Sequence, residues 1–193
     1  MRYPLRLGLR ARRNIAMWRP FVHWLLAIPQ LLITYALRTL RQALLIISFF
    51  SVLFTGRIPR GLFDTIVMTF RYRWRVVSYL IWMRESYPPF DFTPSAADVG
   101  GDPAFVSVRY PRRLNQWLPL VKWFLAIPHF VVLVFLKVGA VFAIILSIFG
   151  VLATGQYPEG IGRYIVGVTR WSLRVEAYVF FLRDEYPPFR LSP

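Results

Sequence analysis

The chain has 193 residues, of which 56% are hydrophobic and 18% aromatic, and its mean hydropathy is +0.47. It carries 24 Lys and Arg against 9 Asp and Glu, a net charge of +15, and no cysteine. The apolar residues form blocks beside the arginines, which favours a bilayer over nucleic acid as the partner of so basic a chain, and the missing thiols exclude disulfides, thiolate metal sites and thiol catalysis.

Residues 1–19 hold Arg2, Arg6, Arg10, Arg12, Arg13 and Arg19. They have the charge of a secretory n-region, but no small-residue cleavage site follows the next apolar run, so no cleavable leader is expected. Residues 5–10 alternate apolar and basic, as Phe105 to Arg109 alternate later, which reads as a short strand or an ordered arm. From Trp18 to Phe90 the chain then states a pattern that returns from Trp117 to Phe189. The two align at an offset of 99 residues without a gap, with 29 identities over 73 positions. This duplication predicts a first repeat at 1–92, a linker at 93–103 and a second repeat at 104–193.

Each repeat opens on an apolar run interrupted by proline, Pro29 in the first and Pro128 in the second. Proline removes a helix donor and kinks the helix. From Trp123 to Ala153 only His129 and Lys137 interrupt the apolar run, a stretch of about 47 Å as one helix. That is long for one upright span and short for two. The reading preferred is a helical hairpin turning near Lys137-Val138-Gly139; the other is one long, kinked and strongly tilted helix. The loops T-G-R-I-P-R-G and T-G-Q-Y-P-E-G follow. There Gly56 and Gly155 cap one helix, and Pro59 and Pro158 begin the next.

The third helix of each repeat is predicted over about Leu62 to Met83 and Ile161 to Leu182. Arg163, Arg170 and Arg174 fall on one face at helical spacing, as do Asp64, Arg71 and Arg75. With aromatic neighbours, this stripe reads as an amphipathic helix lying in the membrane interface. Tyr-Pro-Pro-Phe, with Pro88 and Pro187, is expected to stop each third helix. Asp91 to Pro103 reads as a flexible acidic linker. Counting arginines puts both termini, both T-G loops and the third helices on the cytoplasmic side.

The motifs W-x-P-L-V-K-W-x-L-A-I-P-H, T-G-x-Y-P-x-G, R-W-x-L-R-V-x-A-Y and D-E-Y-P-P-F of the second repeat resemble the bacterial membrane family described as domain of unknown function 4389. The first repeat keeps W-R-P-F-V-H-W-L-L-A-I-P, T-G-R-I-P-R-G and E-S-Y-P-P-F. The resemblance covers nearly the whole chain. It implies a multi-pass protein of the bacterial inner membrane and transfers no active site. The first repeat departs at Gln30 for His129, Ser86 for Glu185 and Arg60 for Glu159.

Chemistry-bearing groups are few. His23 and His129 are the only ligand types for haem or a pigment, and they are not equivalent under the repeat, so both read as packing histidines. No nucleophile–base pair or dinucleotide fingerprint appears, so no enzyme, cofactor or metal is expected. The seven arginines Arg71, Arg75, Arg84, Arg163, Arg170, Arg174 and Arg183 are the expected contacts for anionic lipid headgroups or a partner protein. The expectation is an all-α integral membrane protein: a non-catalytic accessory or scaffolding subunit of a larger complex, respiratory or photosynthetic, without nucleic acid. The alternative is a lipid-binding or transport protein with a site at the repeat interface.

Overall fold

The computed structural model describes residues 3–11, 14–98 and 100–193; Arg2, Arg12 and Arg13 lie outside them. Strand β1 (Leu5–Leu9) opens the first repeat, followed by α1 (Arg19–Leu26), α2 (Ile28–Thr55) and α3 (Arg60–Leu80). The second repeat follows with β2 (Ala104–Val108), α4 (Leu118–Leu125), α5 (Ile127–Thr154) and α6 (Glu159–Val179). The fold is mostly helical, a tandem duplication. The extended arms are strands: β1 and β2 pair antiparallel, Leu7 opposite Val106.

The hairpin expected near Lys137 is not formed. α2 and α5 are continuous 28-residue helices, each long and apolar enough to cross a membrane. Nothing around Gly139 breaks the ladder, because the glycine serves close packing instead of a turn. A Cβ there would stand 2.7 Å from the Tyr164 hydroxyl, which donates to the Leu136 carbonyl at 2.9 Å. Pro29 and Pro128 stand in the first turn of these helices, where a missing donor costs nothing. The kink is therefore a boundary, at Ala27 and Ala126. Tyr87 and Tyr186 donate their hydroxyls to the Leu26 and Leu125 carbonyls at that boundary, which gives the Tyr-Pro-Pro-Phe motif its role. Gly56 and Gly155 take φ of 65° at the far ends and return their N–H to Val52 and Val151.

α3 and α6 are inner helices, not interfacial ones. α3 is buried almost all round from Ile66 to Tyr79, against α2 on one side and β2 on the other. They stop before the double proline. Trp82 and Phe181 turn into left-handed backbone at φ of 48° and 63°, and their rings reach the other repeat. Trp82 donates from its indole to Ser147 of α5 at 3.0 Å, and Phe181 packs on Phe49 of α2. Each long helix therefore meets the end of the opposite repeat's inner helix near its own C-terminus. Since α3 returns antiparallel along α2, α2 and α5 run in opposite directions, and the two T-G loops do not share one side.

The N-terminal arms are exchanged between repeats. Ile15 donates its N–H to the Gly155 carbonyl, and Leu114 to the Gly56 carbonyl, the same bond one repeat apart. The segment 93–103 is not a free linker: Ala96 is buried, and Asp98 is held by β2 and α3.

Candidate functional site: the arginine network and the cleft beside it

The arginine stripe follows from the heptad-like spacing of α3 and α6, but it points inward. Arg71, Arg75, Arg84, Arg174 and Arg183 are all buried, Arg75 and Arg174 each only 1% exposed. This overturns the headgroup-facing reading for them. A buried guanidinium needs its donors and its charge satisfied, and the two repeats do so differently.

In the first repeat carboxylates do it. Arg75 holds Asp91 at 2.8 Å and Asp98 at 3.1 Å, and Arg71 lies 3.4 Å from Asp98. Arg84 grips Asp102 through two nitrogens, at 2.5 and 2.9 Å. Arg71 also donates to the carbonyls of Ser95, Ala97 and Val106. The bond from Arg75 is the first cause holding the Asp91 carboxyl well down, at about 2. Burial lowers the Arg71 pKa, and Asp98 opposes the shift.

In the second repeat carbonyls do most of it. Arg170 donates to Leu7 and Leu191, and Arg174 to Arg190 and Ser192. Among the described residues neither has a carboxylate within ion-pair distance. Burial, then the neighbouring Arg170 and Arg190 charges, pull Arg174 down to about 10. Arg183 is the exception, since it pairs bidentately with Glu185. That exchange accounts for one departure between repeats: Ser86 stands where Glu185 does because Asp102 already neutralises Arg84.

Beside Arg170 lies a cleft of about 880 Å³. β1 forms one wall, α6 the other, and the segment Leu191–Pro193 closes one end. Arg6, Arg10 and Arg163 stand exposed on its rim with Glu159. Of the stripe arginines Arg163 is exposed and Arg170 half-buried. Sequence reading missed this cleft.

The histidines are packed away from it. His23 donates from Nδ1 to the Tyr79 carbonyl at 2.8 Å and stacks on the Tyr79 ring. Burial first, and the Arg19 charge second among lowering causes, depress its pKa. His129 accepts the Trp171 indole N–H at Nδ1 and stacks on Phe189. Gln30, its counterpart, accepts from the Tyr72 hydroxyl and donates to the Pro88 carbonyl, so both residues satisfy an inner-helix aromatic. Among the described residues no group of three or more His, Asp or Glu is placed to hold a metal.

A family model described as "Domain of unknown function (DUF4389)" matches residues 18–91 and again 117–190. Each match spans one set of three helices and leaves the exchanged arms outside. No curated protein and no solved structure matches the chain. The chain belongs to the DUF4389 family, as a tandem two-domain member.

Proposed function

We propose that this tandem DUF4389 protein is a non-catalytic accessory subunit, embedded in the bacterial inner membrane, that scaffolds a larger membrane complex of the respiratory or photosynthetic kind. The apolar row on α5 carries the reading. Ile127, Phe130, Val134, Val138, Val141, Ile145 and Phe149 are all exposed, and Phe135 is 73% exposed. From Ile127 to Phe149 the row extends about 33 Å at 1.5 Å per residue, close to the thickness of a hydrocarbon core. An apolar face of that length has no place in water and asks for lipid or a protein partner.

α2 repeats the row less completely, since Arg38, Thr39 and Gln42 are exposed within it. Arg38 and Lys137 occupy the same repeat position and suit snorkelling, whereas Arg41 folds inward over the Phe70 ring. If both helices cross the bilayer, their opposite directions make the repeats an inverted pair. The exposed Arg57, Arg60, Arg112 and Arg113 then mark the end of α2 as cytoplasmic, and they take over the headgroup contacts assigned above to the buried stripe.

Purification of the tagged protein from its native membrane in mild detergent, followed by native mass spectrometry, tests the reading. Stoichiometric larger membrane subunits are expected. A lone chain carrying a defined lipid would favour the second reading, a lipid-binding or transport protein, for which the cleft between β1 and α6 is the specific support.

A further inference from the structure

The first repeat shows what belongs in the cleft of the second. Residues 95–98 run along the outer edge of β2. Val108 donates its N–H to the Ala96 carbonyl at 2.9 Å, and Val106 donates to the Asp98 carboxylate at 3.3 Å. Asp98 donates its own N–H to Ser107 Oγ and bridges Arg71 and Arg75. The segment thus acts as a short third strand with one carboxylate pinned between two guanidiniums.

Moved by one repeat, the receiving groups recur except Ser107, whose place Gly8 takes. Leu7 and Leu9 correspond to Val106 and Val108, and Arg170 and Arg174 to Arg71 and Arg75. The Leu7 carbonyl accepts from Arg170 as the Val106 carbonyl accepts from Arg71. Leu191, Ser192 and Pro193 stand where Phe92, Thr93 and Pro94 lead into the acidic segment. Beyond them, at the position of residues 95–98, is the open cleft. The edge of β1 faces it, and the sheet has two strands only among the described residues. Arg6, Arg10 and Arg163 add positive charge at the rim, against Glu159 as the one acidic side chain among the described lining residues.

We propose that this cleft docks an extended acidic segment of a partner protein, laid on β1 as residues 95–98 lie on β2, with its carboxylate on Arg170. Two forces select such an occupant. A free strand edge pairs main chain to main chain without regard to sequence. Arg170, half-buried on the cleft wall and without a carboxylate among the described residues, selects an acidic side chain in the register of Asp98. The accessory role proposed above would supply the partner; the cleft itself stands on the repeat comparison.

The probe is the chain's own segment as a peptide, acetylated SAADVGGD with a fluorophore at its C-terminal end, titrated into the full-length protein in detergent. Saturable anisotropy with a Kd in the range of about 10–500 μM is expected. Replacing the central aspartate of the peptide by asparagine weakens binding by about tenfold or more, equivalent to about 1.4 kcal/mol. An Arg6→Glu/Arg163→Glu protein, altered only at exposed positions, binds by about tenfold less with an unchanged melting temperature. No saturable binding by the wild-type protein, or binding that neither change moves by more than about twofold, overturns the proposal. So does native mass spectrometry showing an anionic phospholipid that the double variant loses and the peptide cannot displace, which assigns the cleft to lipid. Failure here leaves the pull-down outcome untouched, so the two readings fall separately.

Discussion

Arg71, in the first repeat, donates from Nε to the carbonyl of Val106, in the strand of the second. The mirror bond joins Arg170 to Leu7. Each inner helix is thus completed by the other repeat's strand, and neither repeat owns its whole core. The hydrophobic cluster accordingly draws Leu5, Phe63, Val106 and Leu173 together.

This predicts that the halves fold only together. Fragments 1–100 and 101–193, produced together, are expected to co-purify as a 1:1 complex. Either fragment alone lacks a strand over its arginines and is expected to aggregate or to form an arm-exchanged homodimer. Size-exclusion chromatography with light scattering distinguishes these. A soluble monomer from one fragment would contradict the exchange.

Asp98 is the keystone of the first arginine network, with its carboxylate near 4% exposure between two buried cations. Asp98→Ala leaves the buried Arg71 without a carboxylate, while Arg75 keeps Asp91. A loss of about 3–5 kcal/mol is expected, as for other buried pairs broken on one side. Asp64→Ala, which removes an i,i+4 pair with the exposed Arg60, should cost less than about 1 kcal/mol. Denaturant unfolding of the two variants side by side reads the contrast.

His23 and Asp91 contribute to the acid response in separate windows. The folded His23 pKa lies below its ordinary 6.5, so the unfolded chain binds the proton more readily. Its contribution is complete above about 6.5 and is lost as pH falls below that. The Asp91 carboxyl falls from 3.8 to about 2 on folding, so its contribution is present above 3.8 and is lost towards pH 2. His23→Gln should flatten the stability profile as pH falls below about 6.5, and Asp91→Asn should flatten it below about 4. The same slope in both variants and the wild type would refute these assignments.

Gly139 was read in sequence as a turn, and the structure gives it a close contact with Tyr164 inside a continuous helix. Gly139→Ala is therefore expected to destabilise by about 1–3 kcal/mol through overpacking. Tyr164→Phe removes the hydroxyl that the new methyl would strike, so the double variant should lose less than the two single variants added together. A coupling of about 1 kcal/mol or more in that cycle is expected, and strict additivity would place the strain elsewhere.

The duplication, the glycine caps Gly56 and Gly155 and the helix starts after Pro59 and Pro158 were legible because they rest on local chemistry. The inward turn of the stripe was not. Periodicity puts Arg71, Arg75, Arg170 and Arg174 on one face but does not say what covers it, and the cover comes from residues 91–102 and from the opposite strand. Lys137-Val138-Gly139 misled for a similar reason. A glycine beside a charge in an apolar run fits a turn as well as it fits a neighbouring ring. The exchange of arms lay beyond reach, because a repeat pattern is the same whether each arm folds on its own helices or on its partner's.

The opposite directions of α2 and α5 give the membrane reading a clean test, since the chain has no cysteine of its own. Arg57 follows the end of α2, and Gln156 follows the end of α5; both are exposed. In an inverted pair crossing the bilayer, Arg57→Cys faces the cytoplasm and Gln156→Cys faces the other side. A membrane-impermeant maleimide added to intact cells should then label Cys at 156 and spare Cys at 57 until the membrane is opened. Both sites protected in intact cells would mean that the helices lie along the cytoplasmic face, their apolar rows turned into one leaflet. The rows can be probed the same way: Phe135→Arg on α5 meets hydrocarbon in either arrangement and should cost about 2–4 kcal/mol at mid-depth, less near the interface. Alkaline extraction of membranes would show that loss as release of the variant, and retention equal to wild type would put the α5 row in water or against protein.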